Sequence, residues 1–166
     1  MILESFWQTL AALPLSEAIR EVPFAFAAVE IVHVFALAIV FGSIIIVDLR
    51  LLGVASKQIS VQEISHELLR WTWGAFCIAL ISGLTMFAAR APEYMINTEF
   101  FWKFGIMALA GVNMAAFHAG IWRRVVDWDL GPTPPAAKLA GLVSLCCWVA
   151  IVTFGRWIGY TIGLHF

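Results

Sequence analysis

The sequence predicts an all-α integral membrane protein, an up-down four-helix bundle preceded by an interfacial amphipathic segment. Of its 166 residues, 62% are hydrophobic and only 13% are charged, whereas soluble domains are about half apolar and a quarter charged. A soluble fold of this length leaves too much surface exposed to hide so many apolar side chains. The formal net charge of -1 provides no basic field for a nucleic-acid partner. We therefore expect a single transmembrane domain over residues 1–166, in contact with the lipid bilayer.

The first 22 residues differ from the rest of the chain because polar and apolar side chains alternate in them. Phe6 and Leu10 are interleaved with Glu4 and Gln8. No basic stretch precedes an apolar core, so we do not expect a cleaved signal peptide. The pattern favours an amphipathic helix that lies in the membrane interface.

Four later windows are apolar enough to cross a bilayer, which requires about 20 residues. They cover residues 24–47, 71–89, 100–122 and 136–162. Charged residues close the first three windows, and the Gly/Pro-rich segment 131–135 separates the last two. Short connections between spans are typical of antiparallel neighbours, which predicts the up-down bundle.

Basic residues predict how the chain is oriented, because cytoplasmic loops are enriched in Lys and Arg. The first and third loops hold Arg50, Lys57, Arg70, Arg123, Arg124 and Lys138. The opposite side holds Arg20, Arg90, Lys103 and Arg156. We therefore expect a multi-pass protein of a bacterial inner membrane, with both termini on the outer, periplasmic side.

Small residues decide where membrane helices approach one another, since lipid tails are as apolar as leucine. The fourth span carries Gly155, Gly159 and Gly163 at four-residue spacing, which places a flat strip along one face. This strip is expected either to pack inside the bundle or to contact another membrane subunit or a second copy of the chain.

Ionisable side chains inside a span are costly and therefore point to function. Glu30 and His33 are three residues apart on the first span and share a face. We expect the Glu30 carboxylate to accept the second ring N–H of His33 and so to orient the imidazole. Lys103 and Arg156 are predicted at similar depth, where they would neutralise Glu30. A purely structural ion pair is the alternative interpretation.

The third span carries a stripe of its own, which occupies a sector of about 80° at 100° per residue. Its members are Lys103, Met107, Ala110, Met114 and His118. Asn113 is expected to lie off this sector.

Histidine is the commonest ligand for a metal or haem in such a bundle. His33 and His118 are therefore candidate ligands of a haem iron. Their predicted depths differ by about 14 Å, which disfavours one haem shared by both. The alternatives are His33 with Met107 or with an open position, and His118 with His66.

Several motifs resemble those of known families. Residues 30–33 (EIVH), 47–53 (VDLRLLG) and 101–103 (FWK) resemble an uncharacterised family of four-span bacterial membrane proteins. The layout is distantly similar to HemJ-type protoporphyrinogen oxidases and CopD-like membrane proteins. The HemJ-type positions match His33, Arg50, Gly83, Trp102 and Lys103. This resemblance implies that His33 binds haem b.

These observations together predict a haem b-binding membrane protein with an electron-transfer or oxidoreductase role, which exchanges electrons with quinone or a partner subunit. His33 would be an axial ligand and Glu30 its orienting carboxylate, with His118 as a second candidate ligand. Lys103 and Arg156 would pair with Glu30 or with haem propionates. The alternative is a non-catalytic accessory subunit of a larger membrane complex, in which the buried polar groups only fix helix packing.

Overall fold

The computed structural model describes residues 2–55 and 58–163, and helices make up most of both ranges. The helices are α1 (Ile2–Ala11), α2 (Pro14–Glu21), α3 (Ala25–Leu52), α4 (Val61–Ala89), α5 (Ala91–Met95), α6 (Thr98–Ala119), α7 (Val125–Trp128) and α8 (Pro135–Gly163). A 3₁₀ turn at Ile121–Arg124 leads into α7. Four segments are long and apolar enough to cross a membrane, which confirms the predicted fold class. Lys57, His165 and the surroundings of Gly163 lie outside the described residues.

The four long helices pack in the order α4–α3–α8–α6. Helix α3 packs along both α4 and α8, and α8 packs along α6, whereas α4 and α6 have no comparable backbone contact. We call the end that carries α1, α2 and α5 the cap end, and the opposite end the loop end. At the cap end, the stacked rings of Phe87 on α4 and Phe100 on α6 have centroids 5.5 Å apart. Elsewhere along their length these two helices have little backbone contact, and we call the side of the bundle between them the α4–α6 gap.

The amphipathic N-terminal segment forms two helices, α1 and α2, that pack on the cap end. Arg20 of α2 donates hydrogen bonds to the carbonyls of Ala11 and Ala89, at 3.0 and 2.9 Å. These carbonyls belong to the last turns of α1 and α4, where a helix lacks its own donors. Leu3 of α1 and Leu15 of α2 remain 71% and 67% exposed, so both helices have apolar side chains on their outer surface.

At the loop end, a buried polar network links the connection between α3 and α4 to the connection between α7 and α8. Arg50, only 3% exposed, donates from Nε to the Ile59 carbonyl and from Nη2 to the Asp129 carbonyl, both at 2.8 Å. The Asp129 carboxylate accepts from the Ser60 hydroxyl at 2.5 Å and from the Val61 N–H at 2.6 Å. These acceptors satisfy the first N–H groups of α4. Helix α4 therefore begins ten residues before the apolar window predicted to start at residue 71.

Two backbone positions with positive φ flank α3. Gly53 follows the helix with φ 73°, the left-handed conformation that glycine adopts readily after a helix. Phe24 precedes it with φ 66°, which is unfavourable for a residue with a Cβ. The junction between α2 and α3 therefore carries backbone strain.

Candidate functional site

His33 lies on the side of α3 that packs against α4. Its Nδ1 lies 2.9 Å from the Ala79 carbonyl oxygen and 3.0 Å from the Ser82 hydroxyl. A carbonyl only accepts hydrogen bonds, so Nδ1 carries the proton, and the neutral ring has its lone pair on Nε2. The Ser82 hydroxyl donates to the Ile78 carbonyl at 2.7 Å and is left to accept from Nδ1. No described residue forms a hydrogen bond with Nε2.

Gly83 makes this docking of His33 possible. A Cβ at position 83 would lie 3.1 Å from His33 Cε1 and 3.5 Å from Nδ1. A helical side chain leans back over the preceding turn, so a side chain at 83 would cover the Ala79 carbonyl that the imidazole reaches. The residue type at position 83 therefore decides how closely His33 approaches α4.

Glu30 does not orient His33, so this predicted contact is wrong. Within the described ranges, the Glu30 carboxylate makes no hydrogen bond or ion pair, and its charge acts on Tyr94 in α5. The backbone carbonyl of Ala79 and the hydroxyl of Ser82 replace it, because both lie directly across the α3–α4 contact. Burial raises the pKa of the Tyr94 hydroxyl, which keeps this phenol neutral beside the carboxylate.

Lys103 reaches from α6 across α8 toward His33. Its Nζ lies 3.5 Å from the position that a Cβ on Gly155 would take, and its charge acts on the His33 ring. The half-buried ammonium group has no hydrogen-bond acceptor or counter-ion in residues 2–55 and 58–163. The structure therefore has a ligand-type imidazole in the α3–α4 contact and, beside Gly155 in the α6–α8 contact, an amino group whose charge acts on that imidazole.

The inward face of α6 differs from the predicted stripe in its second half. Asn113, expected off the stripe, donates from Nδ2 to the Ala140 carbonyl of α8 at 3.0 Å, and Phe117 is buried. Met114 and His118 are exposed instead. Helices that wrap around one another present a face that recurs every 3.5 residues, which drifts away from a straight 100° projection. The stripe was predicted at 100° per residue, without this drift, and therefore included Met114 and His118.

His118 therefore does not share a site with His33. Its Nδ1 donates to the Met114 carbonyl at 2.9 Å, and its ring packs against Trp122 with centroids 5.5 Å apart. It lies fifteen residues along α6 from Lys103, about 22 Å at 1.5 Å per residue. Met107 is half-buried, one turn from Lys103, and its role as a ligand stays a prediction.

Arg156 does not neutralise Glu30, which corrects the expected ion pair. Its side chain is exposed, with the guanidinium 4.9 Å over the Tyr160 ring and Nη2 3.5 Å from the Tyr160 hydroxyl. An aromatic ring one turn away holds the cation at the helix surface. Of the predicted glycine strip, Gly155 faces Lys103 inside the bundle, whereas Gly159 has no atom within 4 Å of a Cβ position.

The site thus combines predicted and unpredicted residues. His33 and Lys103 were predicted and interact electrostatically, whereas Ala79 and Gly155 were not identified as parts of the site. The available signal was Ser82-Gly83, a polar and a small residue side by side within an apolar span.

Comparison with known proteins gives one family and no function. No curated protein and no solved structure matches the chain. The model of a family of unknown function, DUF6644, matches residues 22–161, a range that includes α3 through most of α8 and every residue of the site. The chain belongs to this family of unknown function, DUF6644.

Proposed function

We propose that this protein binds haem b through His33 and has a redox role in the membrane. One observation carries the proposal: His33 lies within a membrane-spanning helix, donates Nδ1–H to a backbone carbonyl and keeps Nε2 free of protein partners. Histidines that ligate metals commonly donate their other ring N–H to a carbonyl or carboxylate, which fixes the tautomer and the ring orientation.

The surrounding residues fit a haem group. Gly83 lets the imidazole dock closely on α4 with its Nε2 free of described protein partners, and α4 and α6 have little backbone contact. Haem propionates are anionic, and Lys103 is a half-buried cation without a counter-ion among the described residues. The chain would hold haem through His33 and pair a propionate with Lys103.

Among residues 2–55 and 58–163, His33 is the histidine ligand of the proposed site. His118 lies about 22 Å along α6 from Lys103, so it does not supply the second axial ligand at His33. The second position is then open or taken by Met107. A bound haem would supply one-electron chemistry. A ligand position left open on the iron favours an oxidoreductase role, whereas a haem with both positions occupied favours simple electron transfer.

The resemblance to HemJ-type proteins supports this proposal through three of its positions. His33 lies against Gly83 and the charge of Lys103 acts on the His33 ring, whereas Arg50 belongs to the loop-end network and Trp102 is exposed. Because the helices are apolar enough to lie in a bilayer, we propose a lipid-soluble quinone as the redox partner. We also retain the proposal of a bacterial inner membrane with the cap end on the periplasmic side.

An optical spectrum tests this function. The protein is purified in mild detergent from cells supplied with haem precursor, and a reduced-minus-oxidised spectrum is recorded. Wild type should show the Soret and α bands of haem b, and His33→Ala should lose them because the iron loses its protein ligand. His118→Ala is the matched control and should keep both bands.

Two further variants refine the test. Lys103→Ala should lower haem retention, since a propionate loses its cation, and Lys103→Arg should restore it. Absence of haem bands from wild type, or full bands in His33→Ala, would refute the proposal.

A further inference from the structure

Asp48 is a buried carboxyl group that the proposed haem site does not use. It lies on α3 four residues before the helix ends at Leu52, about 6 Å inside that end, and is 5% exposed. The Ser144 side chain of α8 lies beside the carboxyl group. The second oxygen, Oδ2, is buried and has no hydrogen-bond partner.

The nearest cation in the sequence does not serve as its counter-ion. Arg50, two residues further on, points to another side of the helix. Its guanidinium nitrogens donate to the carbonyls of Ile59 and Asp129 and to the Thr133 hydroxyl. Asp48 and Arg50 form no ion pair in the described part of the chain.

The helices packed against α3 supply no other charge at this depth. In the first three turns of α4, the charged and titratable side chains are exposed, and none pairs with Asp48: Glu63, His66, Glu67 and Arg70, the last two forming an ion pair with each other. On α8, Lys138 is exposed and Cys147 is a neutral thiol buried one turn beyond Ser144. The α8 backbone also packs closely here, since a Cβ on Gly141 would lie 3.3 Å from the Asp48 carbonyl oxygen.

An ionised carboxylate in this position would be buried without a compensating charge, which is strongly unfavourable. A bound metal cation is a poor solution because Mg²⁺ and Ca²⁺ take six or more oxygen ligands. In the described part of the chain, no group of three or more metal-ligating side chains is present, and the carbonyls of the surrounding helices are engaged in backbone bonds. A proton on Oδ2 neutralises the group and needs no additional ligand.

We propose that Asp48 is a proton-binding site between α3 and α8, which exchanges its proton with the aqueous phase at the loop end. Binding converts the carboxylate and a proton from water into a neutral carboxylic acid. Release leaves a negative charge against α8, and this charge requires water to enter the contact between Asp48 and Ser144. The site lies fifteen residues from His33, about 22 Å along α3, so it functions whether or not haem is bound.

Infrared spectroscopy of the protein in lipid tests this proposal. The difference spectrum of wild type minus Asp48→Asn at neutral pH should contain the carbonyl stretching band of a protonated carboxylic acid. The band should shift in D₂O and disappear when the pH is raised. Asp127→Asn, which changes an exposed acidic residue near the same end, is the matched control and should leave the band in place.

A second variant keeps the test decisive if Asp48→Asn fails to fold. Ser144→Ala retains Asp48 but removes the hydroxyl beside it, so the surroundings of the acid become less polar and the same carbonyl band should move to higher frequency. Absence of a carboxylic acid band from wild type at neutral pH would overturn the proposal. A carboxylate band that depends on Na⁺ or K⁺ would also overturn it, because it would identify a cation site.

Discussion

Replacement of Gly83 by alanine tests the contact on which the site depends. The new Cβ would lie 3.1 Å from His33 Cε1, so the ring must retreat by a few tenths of an ångström. This movement strains the 2.9 Å hydrogen bond between Nδ1 and the Ala79 carbonyl. Overpacking of this kind costs about 1–3 kcal/mol, and the hydrogen bond contributes about 1 kcal/mol of stability.

Gly74→Ala is the matched control on the same helix. A Cβ there has no atom within 4 Å, so this variant should gain roughly 1 kcal/mol from the helix propensity of alanine. The same gain applies at position 83, so the difference between the variants reports the clash. We expect Gly83→Ala to have a lower free energy of unfolding than Gly74→Ala by about 1–3 kcal/mol.

Reversible unfolding in mixed detergent and SDS micelles, followed by circular dichroism, measures this difference. Haem affinity should fall roughly 10- to 100-fold in Gly83→Ala, as for other changes that disturb the groups orienting a ligand histidine. A double-mutant cycle isolates the cause. With His33→Ala, which removes the imidazole, Gly83→Ala should behave like Gly74→Ala. An equal cost with and without the His33 ring would refute the proposed contact.

Three further predictions concern stability, measured by the same unfolding assay. Asp129→Ala should cost about 2–3 kcal/mol because a buried carboxylate no longer accepts from the first turn of α4, whereas the exposed Asp127→Ala should stay within about 0.5 kcal/mol of wild type. Asn97→Ala should cost about 1–2 kcal/mol, since its side chain caps α6 and donates to Thr161 at 2.7 Å; a cost equal to that of Thr161→Val would exclude the capping contribution. Phe24→Gly should gain about 1 kcal/mol by relieving the positive φ of 66°, and an equal gain in Phe24→Ala would exclude backbone strain as the cause.

Much of the fold was predictable because each membrane span corresponds to one continuous apolar run of the necessary length in the sequence. The start of α4 was not predictable in this way. Its first turns are polar, and they are helical because Ser60 and the distant Asp129 accept from their N–H groups. A partner 68 residues away in sequence leaves no local pattern.

The candidate site was predictable only in part for a similar reason. His33 and Lys103 were identifiable because ionisable side chains are rare inside spans. Spacing on one helix suggested Glu30 as the partner of His33, but the contact with α4 offered a backbone carbonyl instead. Every residue has a backbone carbonyl, so the sequence does not indicate which carbonyl accepts a hydrogen bond from His33. The packing of α3 against α4 determines it.

Chemical rescue is a direct test of the proposal that Nε2 of His33 binds the haem iron. In His33→Gly, the ring is removed and space is left beside Gly83. Addition of free imidazole should restore the haem bands of the purified protein in a saturable manner, and it should not alter His118→Gly. Wild-type haem bands in His33→Gly without imidazole, or no restoration at any imidazole concentration, would contradict the assignment.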